Sequence, residues 1–229
     1  MMKSIAQSEL DRKRFVYSDI GFILLQQVVE AVTGKTLDAY LVSEFYRPMG
    51  LEHTLFQPLN RYKKADIMPT AANDYLRRQD LCGYVHDEAA AFMGGVSGNA
   101  GLFSTAQELG KIYQMILNEG ELDGKRYLRP ETCRIFTTEK SAVSHRGLGY
   151  DKPNLKDPKA NACASSAPAS VYGHTGFTGT CAWVDPENDL VYIFLSNRLC
   201  PDAWNGKLNS MKIRQAIQEV IYQSLYTPE

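Results

Sequence analysis

The sequence lacks the features of several large protein classes. No stretch approaches the ~20 consecutive apolar residues that a membrane-spanning helix needs. The formal net charge is −1, from 25 Lys and Arg against 26 Asp and Glu, which argues against a nucleic-acid-binding surface. Residues 1–9 lack the apolar core of a signal peptide. These absences predict no nucleic-acid partner and no signal peptide within this chain.

The sequence also lacks a pattern of metal ligands or paired cysteines. The five cysteines are odd in number and scattered, so they indicate neither a disulfide framework nor a zinc site. His86, Asp87 and Glu88 are neighbours, but adjacent residues on a helix point in different directions. We therefore predict no metal and no cofactor.

What is present fits one globular domain of the α+β class. The 229 residues are 44% hydrophobic and 22% charged, enough to bury a sizeable core. The patterns predict a helical subdomain over about 15–137 and, over about 138–229, an antiparallel sheet covered by a C-terminal helix.

The first half reads as helices and loops. Residues 3–10 read as a short helix or a frayed lead-in and are followed by a charged run, Asp11–Arg14. A strong helix is predicted over Asp19–Thr33, capped by Ser18 or Asp19 and ended by Gly34. Its predicted face comprises Ile20, Ile23, Leu24, Gln27, Val28 and Ala31. Residues 56–85 look loop-rich, and Thr105 with Glu108 forms the pattern of a capping box.

The second half predicts three strands and a final helix. The strands are expected at 169–175, 179–185 and 190–197, and the helix over Lys207–Tyr226. The residues expected to face the sheet are Leu208, Met211, Ile217, Val220, Ile221 and Leu225.

The most unusual stretch is Val171–Thr180, which holds three glycines, three threonines and one histidine between strand-forming flanks. Glycine inside a strand often marks the close approach of another backbone or a ligand. The stretch is equally consistent with a glycine-rich hairpin that carries no chemistry.

Two short motifs together resemble those of the penicillin-recognising serine hydrolases, which include class C β-lactamases, DD-peptidases and D-aminopeptidases. Tyr17-Ser18-Asp19 matches the family's Tyr-x-Asn motif with Asp in place of Asn, and His174-Thr175-Gly176 matches its His-x-Gly motif. The family's Ser-x-x-Lys motif is absent, since no serine here has a lysine three residues on. The chain thus resembles the C-terminal part of such a domain.

A closer resemblance covers residues 1–229. Tyr84-Val-His-Asp-Glu88 and the glycine-rich loop Gly94–Phe103, together with the two motifs, look like the serine-hydrolase module of bacterial fusion proteins. Those proteins begin with a family 3 glycosidase of the β-N-acetylglucosaminidase type. The resemblance implies an upstream glycosidase domain, a cell-envelope or periplasmic setting and a link to peptidoglycan turnover. It also implies a small peptide, β-lactam or ester substrate.

The resemblance also implies roles for single residues. Tyr17 would be the general base, although a free tyrosine has a pKa of about 10 and needs nearby cations for this role. The amide of Phe177 would be half of an oxyanion hole. Asp19 and His174 would contact the substrate, but an ionised Asp only accepts hydrogen bonds whereas Asn also donates.

Thr175 and Gly176 would complete the implied substrate site, the first with its hydroxyl and the second by letting the substrate backbone approach. Two other readings stay open: a non-catalytic binding module that keeps the cleft, and an unrelated α+β domain. The resemblance further implies that strand 190–197 has lost a neighbouring strand. We therefore expect self-association through its edge, or a cover formed by residues 3–14.

Overall fold

The computed structural model describes residues 2–9 and 15–226 and has the predicted α+β architecture. The charged run Asp11–Arg14 lies outside the described residues. The helices are α1 (Met2–Ala6), α2 (Ile20–Thr33), α3 (Leu37–Leu41, continued by a π-helical turn, Val42–Tyr46), α4 (Glu88–Phe92), α5 (Ala106–Leu117), α6 (Pro130–Thr138), α7 (Lys207–Ser210) and α8 (Ile213–Tyr226). None of the helices in the described part is long and apolar enough to cross a membrane.

The main sheet contains three antiparallel strands, as predicted. Its strands are β5 (Tyr172–Thr175), β6 (Cys181–Asp185) and β7 (Leu190–Phe194), in that order. Two smaller sheets have two strands each: β1 (Pro69–Asp74) pairs with β2 (Gln79–Cys82), and β3 (Glu121–Leu122) pairs with β4 (Lys125–Arg126). Gly173 lies opposite Trp183, and Trp183 lies opposite Tyr192. Every strand of the main sheet is shorter than its prediction.

The core of the sheet is built from small and aromatic side chains. Trp183, Tyr192 and Tyr222 pack together with Val171 and the thiol side chains of two of the cysteines, Cys163 and Cys181. All five cysteines are free thiols, and only Cys200 is not fully buried. A second core joins the segment after α3 to α5, through Tyr46, Met49, Leu51, Met115 and Leu122.

The predicted C-terminal helix is broken, and most of its predicted face is exposed, although Ile221 packs against the main core. Met211 and Lys212 separate α7 from α8, and Lys212 has a φ of 50° that no α-helix contains. Gln218 and Tyr222 are the deeply buried residues of α8, whereas Val220 is exposed. Gln218 Oε1 accepts a hydrogen bond from Ala164 N, and the Tyr222 hydroxyl donates to Asp185. Satisfied polar groups therefore replace the expected apolar stripe.

Helix α2 has the predicted bounds but not the predicted contacts. Gly34 ends it in the left-handed conformation, with a φ of 68°. Only Ile23 and Gln26 are buried, and much of the predicted face, including Ile20, Leu24 and Val28, is exposed. The Ser18 hydroxyl accepts a hydrogen bond from Ile20 N, whereas Asp19 makes no side-chain cap.

Residues 56–85 contain a hairpin that the sequence did not predict. Strands β1 and β2 pair with irregular register, which hides the alternation that marks a regular strand. The Ala72 amide donates to the Leu199 carbonyl at 2.9 Å, so the hairpin is tied to the segment that follows β7.

Glu108 holds the start of α5 to the preceding loop. Thr105 caps the helix as predicted, but the Glu108 carboxylate does not close the capping box. It accepts hydrogen bonds from the amides of Glu52 and His53 and from the Thr54 hydroxyl at 2.6 Å. Burial pushes the pKa of Glu108 upward, but these hydrogen bonds outweigh burial and hold the pKa below its ordinary value.

Replacing Glu108 by Gln is expected to lower the free energy of unfolding at neutral pH by about 2 kcal/mol, because the new amide hydrogens face backbone donors. Since the folded pKa is lowered, the wild-type stabilisation is full above the unfolded pKa and is lost as pH falls through the folded pKa. Urea unfolding at pH 7 and below pH 4 measures both effects, with the exposed Glu52→Gln as control. Equal losses in both variants, or a pH-independent difference, would contradict this role.

One edge of β7 has no strand partner within the described residues. A groove of about 470 Å³ runs beside it, lined by Val191, Ile193 and the small residues Ala106 and Gly110 of α5. Strand β7 contains no proline, lysine or bulge that would discourage pairing with another chain.

We propose that this edge makes the chain self-associate in antiparallel pairs, which a twofold axis permits. Ile193→Lys is expected to shift the chain toward monomer in concentration-dependent light scattering, because the charge would lie in the groove. Val143→Lys, at an exposed position in a loop, serves as control. A chain that is monomeric at every concentration, or an oligomer unchanged by Ile193→Lys, counts against this edge.

Candidate active site

The structure brings the two sequence motifs together. Tyr17 lies just before α2, and His174 lies on β5, yet their rings stack with centroids 6.2 Å apart and planes inclined by 29°. The side chain of Tyr17 is 57% exposed, so its ring forms part of the surface. Two motifs that are far apart in the sequence therefore lie side by side at one surface.

Arg146 joins the two rings, and the sequence did not predict it. Its guanidinium carbon lies 4.8 Å from the centre of the Tyr17 ring. Its Nη1 donates to His174 Nε2 at 3.0 Å, while His174 Nδ1 donates to the Thr175 carbonyl at 2.7 Å. These two hydrogen bonds suit a neutral imidazole with its proton on Nδ1. The positive charge of the cluster is therefore carried by Arg146.

Asp151 fixes the segment that carries Arg146. Its backbone exchanges two hydrogen bonds with Gly173 of β5, at 2.7 and 3.1 Å. Its buried carboxylate lies 3.5 Å from Arg146 Nη2 and 2.9 Å from His145 Nε2. Asp151 thus pairs with the outer edge of β5 at Gly173. It makes no backbone hydrogen bond to the part of the chain near Gly176, within the described residues.

Asp19 lies directly before α2, where Asp87 and Asn99 are close enough to influence its pKa. Asn99 donates to Asp87 Oδ1 at 3.1 Å. The Ser97 hydroxyl donates to Asn99 Oδ1 at 2.6 Å. Partial burial raises the pKa of Asp19, and the negative charge of Asp87 raises it further. Asp19 therefore belongs to a polar cluster rather than to a helix cap.

The glycine-rich loop that carries Asn99 packs directly on α2. A side chain at Gly98 would lie 2.2 Å from the Phe22 carbonyl, so only glycine fits there. The Gly98 amide donates to the buried Gln26 side chain at 3.0 Å. A cavity of about 340 Å³ opens between this loop and α2. The loop is thus fixed to α2, the helix that follows the Tyr17 motif.

The turn after β5 presents a free amide. Gly176 N donates to Thr180 O and Gly179 N donates to Gly176 O, which closes the turn. Gly176 has no side chain because a Cβ would lie 2.2 Å from Thr180 Oγ1. Among the hydrogen bonds of the described residues, none involves the Phe177 amide. The Phe177 ring is 66% exposed and stacks on His86.

No three His, Cys, Asp or Glu side chains of the described part lie together as metal ligands would. The site offers instead a phenol, a guanidinium, a neutral imidazole and an unoccupied amide donor. This set can accept a proton, stabilise negative charge and bind a carbonyl oxygen.

This fold and the paired motifs define a domain of the β-lactamase and penicillin-binding-protein type. The chain belongs to the Beta-lactamase family, whose model matches residues 1–210.

Two similar curated proteins carry the same name, "Putative D-alanyl-D-alanine carboxypeptidase". The protein from Escherichia coli K12 is 38% identical over 197 residues, which make up 81% of this chain and 45% of the relative. The protein from Salmonella gallinarum is 32% identical over 221 residues, or 91% of this chain and 51% of the relative. The chain therefore spans about half the length of the curated relatives it matches.

Solved structures show the same fold. A β-lactamase from Mycobacterium bovis has a TM-score of 0.62 and 20% identity, covering 92% of this chain and 64% of that protein. A penicillin-binding-protein homologue from Caulobacter crescentus has a TM-score of 0.51 and 19% identity, covering 76% of this chain and 50% of that protein. At these identities the likeness concerns the fold alone.

Proposed function

We propose that this chain supplies the base, the oxyanion donor and the substrate contacts of a serine-hydrolase site that acts by acyl transfer. The observation that carries the proposal is the stack of Tyr17 and His174 under the guanidinium of Arg146. The substrate would be an amide, β-lactam or ester, and the biological role would be peptidoglycan turnover. The names of the relatives support this role, because they refer to removal of D-alanine from D-alanyl-D-alanine.

In the proposed mechanism, Tyr17 acts as a phenolate and takes the proton of a serine hydroxyl as the serine oxygen attacks the acyl carbon, which leaves a neutral phenol. The Arg146 guanidinium carbon is 4.8 Å from the ring centre, where its charge would stabilise the phenolate before the transfer. The Phe177 amide would donate to the oxyanion of the tetrahedral intermediate. Tyr17 would then return the proton to the leaving group, and water would hydrolyse the acyl-enzyme.

The substrate contacts are proposed for Asp19, His174, Thr175 and Gly176. Because His174 accepts a hydrogen bond from Arg146, the guanidinium takes over the cationic role that a lysine has in related motifs. Asp19 would contact an amide N–H as acceptor only, or pair with a cation that a neighbouring segment brings.

The nucleophile is not among these residues. No Ser-x-x-Lys motif occurs in the 229 residues, so we propose that the serine and its lysine belong to another segment of the same polypeptide and that this chain alone is inactive. We also propose an upstream glycosidase-type domain and a cell-envelope location. The resemblance to fused modules supports the first, and the names of the relatives support the second.

A non-catalytic binding module is the second candidate. Asp19 favours it, because this carboxylate replaces an asparagine and its pKa is raised by partial burial and by the nearby charge of Asp87. Such a module would bind the peptide in the same cleft without acyl transfer.

Covalent labelling separates the two candidates. The whole gene product is incubated with a fluorescent penicillin and with a fluorophosphonate, and mass spectrometry locates the modified residue. A label on a serine of a Ser-x-x-Lys motif supports the hydrolase. A whole gene product that binds the peptide but stays unlabelled by both reagents would leave the binding module as the function.

A further inference from the structure

The segment 84–88, which leads into α4, is fixed from two sides and has no role in the mechanism proposed above. Arg77, in the turn between β1 and β2, donates from Nη2 to the His86 carbonyl at 3.0 Å. On the other side, Asp87 Oδ1 accepts a hydrogen bond from Asn99 Nδ2 at 3.1 Å. The segment is therefore tied both to the hairpin and to the glycine-rich loop, and it forms a firm support for the His86 ring.

His86 uses the face of its ring and not its nitrogens. The ring stacks on that of Phe177, with centroids 5.2 Å apart and planes inclined by 19°. Among the hydrogen bonds of the described residues, none involves a ring nitrogen of His86. The guanidinium carbon of Arg198 lies 4.6 Å from the centre of the same Phe177 ring. An exposed aromatic side chain is thus held by two residues from distant parts of the chain.

The backbone of the turn determines where the free amide of Phe177 points. The Gly176 carbonyl accepts a hydrogen bond from Gly179 N at 3.0 Å, so this carbonyl points into the turn. In a planar trans peptide the N–H points opposite to the carbonyl, and the Phe177 N–H therefore points away from the turn. The Phe177 carbonyl is held in its turn by Arg198 Nε at 2.7 Å.

Glycine cannot hold such a direction by itself. Gly176 and Gly179 lie on either side of Phe177 and Thr178, and glycine has more conformational freedom than any other residue. The contacts of Phe177 must therefore supply the rigidity of the turn. An oxyanion donor is effective when it is held in position before the reaction.

We infer that His86 is a positioning residue for the oxyanion donor: its ring clamps the Phe177 side chain and so keeps the Phe177 amide directed outward. This inference rests on the proposed function, in which that amide donates to the tetrahedral intermediate. It gives the segment 84–88 a role in the site, although no atom of His86 would touch the substrate.

Relaxation measurements by NMR on the 229-residue chain test the clamp without any need for the nucleophile. We expect the order parameter of the Phe177 amide to be about 0.85 in the wild type and below about 0.6 in His86→Ala. His86→Phe should restore the wild-type value, because a phenyl ring offers the same stacking face. His53→Ala is the matched control, since it removes an imidazole that packs against Tyr62 with ring centroids 5.3 Å apart.

Acylation of a longer product of the same gene, one that contains a Ser-x-x-Lys motif, tests the consequence for the reaction. A fluorescent penicillin is used over a range of concentrations, which separates the limiting acylation rate from the half-saturating concentration. Removal of an oxyanion donor costs roughly 10²–10³-fold in rate, so a donor that is only loosened in His86→Ala should cost about tenfold. The half-saturating concentration should stay the same, because the donor acts in the transition state. His86→Phe should acylate at the wild-type rate.

Three results would overturn the inference: an unchanged Phe177 order parameter in His86→Ala, an equal loosening of Phe177 in His53→Ala, or a His86→Phe variant as slow as His86→Ala. The third would show that the ring nitrogens matter and the stacking face does not. Failures of the two proposals are distinguishable. Normal labelling of the longer product with an unaffected His86→Ala variant removes the clamp and leaves the hydrolase. A longer product that stays unlabelled removes the hydrolase, whereas relaxation in the short chain still decides whether His86 holds the amide.

Discussion

The 229-residue chain by itself is expected to hydrolyse nitrocefin and p-nitrophenyl acetate no faster than the buffer does. Loss of the attacking group in a serine hydrolase costs on the order of 10⁶-fold in rate, and no described group of the candidate site replaces it. The hydrolysis rates of the chain are compared with those of a longer product of the same gene that contains a Ser-x-x-Lys motif. In that product, Tyr17→Phe should lower the acylation rate by about 10³-fold, since the base would be lost.

Tyr40→Phe is the control for Tyr17→Phe, because the Tyr40 ring packs on Phe45 and its hydroxyl makes no hydrogen bond within the described residues. Saturable turnover by the short chain that Tyr17→Phe abolishes would disprove the need for a further segment. Acylation of the longer product that is equally fast with Phe at position 17 would remove Tyr17 from the mechanism.

Gly173→Ala is expected to cause the largest loss of stability among single-methyl changes. A Cβ at this position would lie 2.1 Å from the Ala182 carbonyl and 2.6 Å from Trp183, both in the buried neighbouring strand. Backbone and a buried indole cannot move aside cheaply, so we expect a loss of about 3 kcal/mol. For a chain of this size, that corresponds to roughly 6–12 °C in melting temperature.

The matched control for Gly173→Ala is Gly110→Ala. Gly110 lies inside α5, and a Cβ there would meet no atom within 4 Å. Alanine should raise stability by about 0.5–1 kcal/mol at that position, because it restricts the unfolded chain. Thermal and urea unfolding of both variants measure the contrast. Two variants of equal stability would show that the strands are not as closely packed at Gly173 as the structure has them.

The sequence was informative where a residue type has a single conformational or steric reason to be present. Gly34 ends α2, and Gly98, Gly101 and the glycines of the β5 turn lie where another group approaches closely. Tyr17 and His174 were found because two motifs occurred as a pair, and their rings stack in the structure.

Hydrophobic periodicity failed where long-range contacts decide burial. Gln218 and Tyr222 are buried because Ala164 and Asp185 satisfy their polar groups, and both partners are more than 35 residues away in the chain. Val28 matches the helical period but has no described neighbour that covers it, so it stays exposed.

Arg146 had no signal of its own in the sequence. It lies in an irregular segment without periodicity, and its position depends on the pairing of Asp151 with Gly173. Arg146 can therefore be assigned to the site only once the pairing of Asp151 with β5 is known. The same holds for Arg198. It follows β7, and its hydrogen bond to the Phe177 carbonyl in the turn after β5 is visible only in the folded chain.

The buried thiols allow the local opening of the folded chain to be followed by chemical modification. The thiolate is the form that attacks alkylating reagents, and burial raises the pKa of Cys163 to about 12 and that of Cys181 to about 11. In the folded chain, an added maleimide should therefore modify Cys200 first. The rates at which the buried cysteines react afterwards would report how often the surrounding core opens locally. Mass spectrometry measures these rates without an engineered probe.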